Sequence, residues 1–320
     1  VRSEPAENCG AGKQSAVAVF GGGTGLHSLL KGLKKLTGNI TAIVAVTDDG
    51  GSSGRLRSDY RMLPPGDIRN CLVALARDES LIPELFQHRF EGSDLGGHSF
   101  GNLFIAALTQ ITGDFGKAIK LASSILAICG RVLPATLDHV SLEAEHDDGT
   151  KTTGERRISQ SKKRIRRVAL RPRPGKVPQD VKDAIAKADK HVFGPGSLFT
   201  SILPPLLNEQ MVEYIARSKA AKIYVCNVMT QPGETDGFSV ADHIEAIFDH
   251  TRQRLFDKVV VNTGAIPEEL LERYAQQGAE PVVIDRDRIG ALGLEMIEAD
   301  VISNENYVRH NPDKLARALL

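Results

Sequence analysis

Short continuous apolar runs, separated by glycine-rich polar loops, set the rhythm of this chain. Residues 15–20 (SAVAVF) and 40–46 (ITAIVAV) are the first two. Runs of this length without polar alternation suit strands buried on both faces, and hence a parallel sheet with crossover helices. The rhythm resumes at 188–193, 221–228, 258–262 and 281–284, each read as a further strand. Helical spacing of apolar positions over 26–36 predicts a helix behind the first loop, and 67–76 and 101–108 predict two more. The expected fold class is α/β: a three-layer, Rossmann-like, doubly wound and mainly parallel sheet.

Residues 131–174 break the rhythm. They contain alternating stretches, a hairpin signal at Asp147-Asp148-Gly149-Thr150 and a final run at 167–170, which together predict a small β-rich insertion. Residues 1–15 are polar, lack the apolar core of a signal peptide and read as a disordered leader. Residues 16–320 then form one domain that carries the insertion.

Composition narrows the function classes. Lys and Arg total 40 and Asp and Glu total 40, which argues against a globally basic nucleic-acid binder. No apolar run reaches the roughly 18 residues of a membrane span. Cys9, Cys71, Cys129 and Cys226 are widely spaced with no CxxC pair, and read as reduced thiols of a cytoplasmic protein. Between Lys151 and Arg173 ten Lys and Arg face one acid, Glu155. The stretch has no aromatic residue to stack on bases, so a solvated charged edge is preferred over a surface for an anionic partner.

Chemistry gathers in six loops. Gly21-Gly22-Gly23-Thr24-Gly25 lies between a strand and a helix, where bare main-chain amides and the helix dipole suit a phosphate. It is not a dinucleotide fingerprint, because Leu26 stands at the sixth position, and no Gly-Lys-Ser/Thr follows, so NAD is not expected. After the next strand, Asp48 and Asp49 sit where α/β proteins bind ligands, followed by Ser52, Ser53 and Arg55, a candidate phosphate partner. Asp67, in PPGDIRN, either caps a helix beginning at Ile68 or joins Asp49 at Mg²⁺, which takes one or two carboxylates plus phosphates. His98 and Asn102, in GHSFGN, are candidates for a phosphate, a sugar or a polar edge. Gly194, Gly196, Ser197 and Thr200 form a second anion cradle, and Asn227 and Glu234 follow the next strand as base or sugar contacts. Two cradles plus carboxylates suggest a diphosphate-linked nucleotide, without choosing uridine or guanosine. No G-x-S-x-G elbow occurs, and Cys71 and Cys226 read as core.

In order, FGGGTGL, TDDGGSSGRLR, PPGDIRN, GHSFGNL, GPGSLFTSI and CNVMTQPGETDGF make the chain resemble the YvcK-like proteins over nearly its whole length after Ala16. These are bacterial gluconeogenesis factors within the CofD-like superfamily. The resemblance implies a Rossmann-like αβα fold and a cytoplasmic protein needed for cell shape and for growth on gluconeogenic carbon. It also implies binding of UDP-sugars such as UDP-N-acetylglucosamine, with Tyr274 and Arg309 matching the family's tyrosine and arginine. The expectation is a regulatory protein with the diphosphate on residues 21–25 and 194–197 and the distal part held by Tyr274 and Arg309. A protein partner and a homo-oligomer are expected, without nucleic acid. The other branch, the 2-phospho-L-lactate transferases of coenzyme F420 synthesis, implies an alternative. There a Mg²⁺-dependent enzyme moves a phospholactyl-type group from a nucleoside-diphosphate donor to a deazaflavin hydroxyl. That branch's aspartates match Asp49 and Asp67, but DDGGSSGR replaces its acidic pair and aromatic-containing loop.

Overall fold

The structure, a computed structural model, describes residues 15–77, 81–92, 94–303 and 307–320. The expected leader lies outside them except for Ser15, as does Cys9. The first half runs β1 (Val17–Gly21), α1 (Gly23–Leu33), β2 (Ile40–Val44), α2 (Gly51–Tyr60), α3 (Gly66–Leu75), α4 (Leu81–Gln87), α5 (Phe100–Thr112), α6 (Phe115–Ile125) and β3 (Arg131–Pro134). The insertion holds β4 (Ser141–His146), β5 (Lys151–Thr153), α7 (Glu155–Ser161) and β6 (Ile165–Arg171). Then come α8 (Gln179–Lys187), β7 (Lys190–Phe193), a π-helical turn (Leu198–Ile202), α9 (Leu203–Leu206), α10 (Glu209–Arg217) and β8 (Ala221–Val225). The chain closes with α11 (Val240–Thr251), β9 (Lys258–Asn262), α12 (Glu268–Gln276), α13 (Arg286–Ala291), β10 (Glu295–Ala299), β11 (Ile302–Ser303), β12 (Arg309–His310) and α14 (Pro312–Leu319).

Seven strands form one sheet in the order β10-β9-β8-β7-β1-β2-β3, and every neighbouring pair is parallel. The expected three-layer α/β fold is therefore present. Strand order reverses between β1 and β7, so the crevice beyond their carboxyl ends is the switch point where such sheets bind ligands. Side-chain alternation along β1 divides the core. Ala18 and Phe20 join the cluster under α8, α10 and α11, while Val17 and Val19 join the one under α1, α3 and α5. Helix α1 buries Leu26, Leu29, Leu30 and Leu33, one face at helical spacing. Gly32 lets α14 close on α1, since a β-carbon there would lie 1.9 Å from the Pro312 carbonyl oxygen.

Four expectations need correction. Residues 131–134 are not part of the insertion: β3 pairs with β2 at the sheet edge, where Val132 is buried in the main core. Residues 281–284 form only isolated bridges, and the outer strand is β10, whose half-exposed edge position hid it from an apolar-run search. Helix α2 begins inside the expected second loop, so Ser52, Ser53 and Arg55 are helical. Cys129 is disulfide-bonded, so the reading of four reduced thiols fails there. Cys71 and Cys226 are free and buried, as expected.

The insertion has the expected hairpin, with Gly149 at φ 79° in its turn. Its three strands are antiparallel, in the order β5-β4-β6. Its cations face acids of β4 and its turn: Arg166 with Glu145 (3.3 Å), Arg171 with Glu143 (3.4 Å) and Lys163 with Asp148 (2.9 Å). No helix among the described residues is long and apolar enough to cross a membrane.

Candidate functional site

The two glycine loops meet at the switch point. A β-carbon on Gly25 would lie 2.4 Å from the Pro195 carbonyl oxygen, so only glycine allows this approach. No side chain caps the first turn of α1 from its N-cap position, Gly22. Gly23 adopts φ +66°, a left-handed conformation that glycine takes at little cost. The second loop is self-capped. Ser197 Oγ donates to Glu234 and accepts from Thr200 Oγ1 at 2.8 Å and the Thr200 N–H at 3.3 Å. Its hydroxyl is therefore committed, and the main chain is what this loop offers.

An open cleft of about 250 Å³ runs along both loops. Of the sequence candidates, Thr24, Gly25, Gly196, Ser197, Asn227, Tyr274 and Arg309 line it. Asn227 Nδ2 donates to the Gly196 carbonyl at 2.8 Å, tying the loop after β8 to the cradle. Arg309 is exposed on β12, with its guanidinium 5.0 Å from the centre of the Tyr307 ring. Gly21, Gly22, Gly23, Gly194 and Thr200 shape the loops without lining the cleft. Glu234 lies buried beneath them, and burial raises its carboxyl above the usual range.

Carboxylates crowd the β2 side of the switch point. Asp67 is in the first turn of α3 and does not cap its own helix. Its Oδ2 instead accepts the Gly23 N–H at 2.8 Å, so the capping expectation is corrected: the acid reaches the first cradle. Gly22 makes room, since a β-carbon there would lie 2.6 Å from that oxygen. Burial, then the charge of Asp48, pushes the Asp67 carboxyl up to about 6. Asp48 accepts the Gly50 N–H at 2.9 Å, and Asp49 accepts the Arg156 N–H at the start of α7 at 2.9 Å. Arg57 and Arg69 supply nearby positive charge, and burial lowers both from the usual guanidinium range, Arg69 to about 10.

A third group lies between α2 and α5. Ser52 Oγ contacts His98 Nδ1 at 2.9 Å and accepts from Asn102 Nδ2 at 3.0 Å. All three residues are buried, and Asn102 Oδ1 has no partner. Burial, then the charge of Arg55, lowers the His98 pKa. Arg55 Nη2 donates to the Gly96 carbonyl at 2.6 Å, and Ser53 packs against Gly66. The second and fourth loops are thus joined to each other rather than to the cleft.

Two residues escaped the sequence reading. Glu155, the lone acid of the basic stretch, turns inward and accepts from Thr47 Oγ1 at 3.0 Å. Burial and the charges of Asp67 and Asp48 push its carboxyl well above the usual range. Its isolation among ten cations was the available signal. The other is His310, which lines the cleft beside Arg309; its Nε2 is buried and unpartnered. Burial lowers its pKa to about 4.

Among the described residues no group of three or more His, Cys, Asp or Glu could hold a metal ion. The expected pair, Asp49 and Asp67, could supply only two carboxylates, each already accepting one main-chain N–H.

Residues 17–302 match the family model described as 2-phospho-L-lactate transferase CofD. The gluconeogenesis factor of Halalkalibacterium halodurans is 48% identical over 310 residues, covering 96% of each chain. That of Bacillus subtilis is 47% identical over 311 residues, covering 97% of this chain and 98% of its own. A crystal structure of a Bacillus halodurans protein, described as a member of the UPF0052 family, superposes with a TM-score of 0.93 at 48% identity. It covers 97% of this chain and 99% of its own.

Proposed function

Since the chain belongs to the 2-phospho-L-lactate transferase CofD family, with close relatives named gluconeogenesis factor, we propose that it is a nucleotide-sugar-binding gluconeogenesis factor. Its ligand would be a UDP-sugar such as UDP-N-acetylglucosamine, with the diphosphate at the loops of residues 21–25 and 194–197, where the Gly23 and Gly194 N–H groups are already taken by Asp67 and Phe20 and the remaining amides would serve. The supporting observation is the direct approach of Gly25 to Pro195 at the sheet's switch point, with Tyr274 and Arg309 on the same cleft. Main-chain donors and an arginine together suit a diphosphate.

As a regulator of cell shape and of growth on gluconeogenic carbon, it would act in the cytoplasm through a protein partner and as a homo-oligomer. Ligand binding shifts such a protein between states only when the ligand prefers one of them. Exposed Ile111 on α5 and Leu121 and Ile125 on α6 support an interface. Titration calorimetry with UDP-N-acetylglucosamine tests the reading: saturable heat is expected, and none at millimolar ligand overturns it.

A second reading, transfer of a phospholactyl-type group, draws on the family description and on the carboxylates beside the cradle. Asp49 and Asp67 would hold Mg²⁺, a cation that takes one or two carboxylates and completes its shell with phosphate and water. When bound, it would supply charge stabilisation on the leaving nucleotide. Arg69, the buried cation near Asp67, would add positive charge. Release of nucleoside monophosphate with a deazaflavin acceptor, lost in Asp67→Ala, is the expected result for this reading.

A further inference from the structure

Building on the nucleotide reading, we propose which way the ligand lies: its nucleobase enters a second cavity, between the carboxyl ends of β8 and β9. This cavity has a volume of about 460 Å³, within the range of small-molecule sites. It shares Asn227 and Val228 with the cradle cleft, so the two spaces are continuous along one loop. Val228, Val282, Val261 and Ile266 give it apolar walls, with Thr263 as a polar contributor. A planar, weakly polar ring is the part of a nucleotide that such walls favour, and a diphosphate or a hydroxyl-rich sugar is not. The polar atoms of Asn262 are committed: Nδ2 donates to the Gly264 carbonyl, and Oδ1 accepts from the Gly264 and Val301 N–H groups. Asn262 therefore shapes the wall and brings no free polar atom to it, while Arg286, the one charged lining residue, is paired with Glu298.

The spacing agrees. The cradle lies at β7, and β9 is two strands away, about 10 Å. A ribose bridges that gap. His310 stands at the junction, on the cleft, with its ring hydrogen-bonded to the main chain of Cys226, a cavity residue. Its buried Nε2 has no partner within the protein. Burial keeps this imidazole neutral at physiological pH, so it holds no phosphate, and an unprotonated Nε2 accepts from a hydroxyl. The order along the cleft is then an anion cradle, an acceptor for a hydroxyl and an apolar slot. This matches phosphate, ribose and base. Tyr274 and Arg309, which line the cradle cleft itself, then lie on the nucleoside side of the diphosphate instead of at the distal sugar, and the sugar points toward Asp48 and Asp67, whose oxygens accept from hydroxyls.

The test uses UDP-N-acetylglucosamine carrying an azide on the uracil ring, photolysed on the wild-type protein, followed by peptide mapping. Labelling within residues 226–229 or 261–271 is expected, and labelling within 47–70 or 154–161 overturns the orientation. Val282→Phe and Ile266→Phe, each filling the cavity, extend the test. Affinity for UDP and UDP-N-acetylglucosamine should fall at least tenfold, while inorganic pyrophosphate binds as before. Unchanged nucleotide affinity in a folded variant, or an equal loss of pyrophosphate, counts against the cavity. A wild-type protein that binds neither nucleotide overturns the functional reading and this inference with it. One that binds UDP-N-acetylglucosamine but labels elsewhere overturns only the inference.

Discussion

The two flanks of the switch point solve opposite problems at one sheet edge. On the β7 side the chain exposes neutral main chain: glycines, a proline and amides, with Arg309 as an exposed charge on the cleft. On the β2 side it gathers Asp48, Asp67 and Glu155, and burial, then the charges of their neighbours, pushes the last two toward their protonated forms. The first flank presents main-chain donors through backbone shape, without gathering like charges. The second holds like charges together, which disfavours the folded state until a donor or cation compensates. Hydrogen bonding of the Gly23 N–H by Asp67 joins the two, so the acid flank also fixes the geometry of the neutral one.

The sharpest way to break this contrast is Gly25→Ala. In a helix, Gly to Ala ordinarily stabilises by about 1 kcal/mol. Here the added carbon would meet the Pro195 carbonyl oxygen at 2.4 Å and force the loops apart. A loss of about 1–3 kcal/mol, read as a lower Tm, is expected, together with loss of measurable UDP-N-acetylglucosamine binding. An unchanged Tm would show that the loops have slack, and the cradle would then need another explanation. Arg309→Ala should separate binding from stability. The side chain is exposed, so Tm should hold, while affinity falls about tenfold to a hundredfold, the worth of a charge-assisted hydrogen bond.

The contrast also explains what was legible in the sequence. The neutral flank is written in local signals, since Gly21 to Gly25 and Gly194 to Ser197 each sit between an apolar run and a helix. Parallel strands buried on both faces made β1, β2 and β9 plain, and β9 matches its expected bounds. The acid flank depends on long-range placement. Glu155 reaches Thr47 across 108 positions of sequence, and its isolation among cations marks the acid without pointing to that partner. Asp67 was visible as a capping residue, but its partner is 44 positions away. His310 is marked only by an orphaned ring nitrogen, which composition cannot reveal. Edge strand β10 was missed because its half-exposed position relaxes the demand for an unbroken apolar run, and β3, only four residues long, was read into the insertion that follows it.

Asp67→Asn sharpens the comparison through pH. The folded-state value of about 6 lies above the ordinary 3.8, so the folded protein binds this proton more tightly. Stability from this group is then fully present below about pH 4, is lost as pH rises through about 6, and is flat above. The gap corresponds to roughly 3 kcal/mol, and solvent at the half-buried carboxyl reduces it to about 1–2 kcal/mol. Asn keeps an acceptor for the Gly23 N–H and removes the charge. The variant should melt higher than wild type at pH 7.5, and the difference should vanish near pH 4. A lower Tm at pH 7.5 would mean that the charge itself stabilises the fold, and the acid flank would no longer be the strained one.

The smallest effect is expected on the outer face of the insertion that supplies Glu155. Glu145 and Arg166 pair across β4 and β6 at 3.3 Å, with side chains 37% and 69% exposed. Water and salt screen such a pair, and a double-mutant cycle with Glu145→Gln and Arg166→Gln should give a coupling of about 0.2–1 kcal/mol, falling as salt rises. Neither variant should alter nucleotide affinity. The insertion thus sets exposed, solvent-screened cations such as Arg166 against one buried acid, Glu155. Burial sets that difference, since each charge is a single unit. A fall in UDP-N-acetylglucosamine affinity in Arg166→Gln would place ligand on the outer face, and the boundary between the flanks would then run through the insertion instead of along β1.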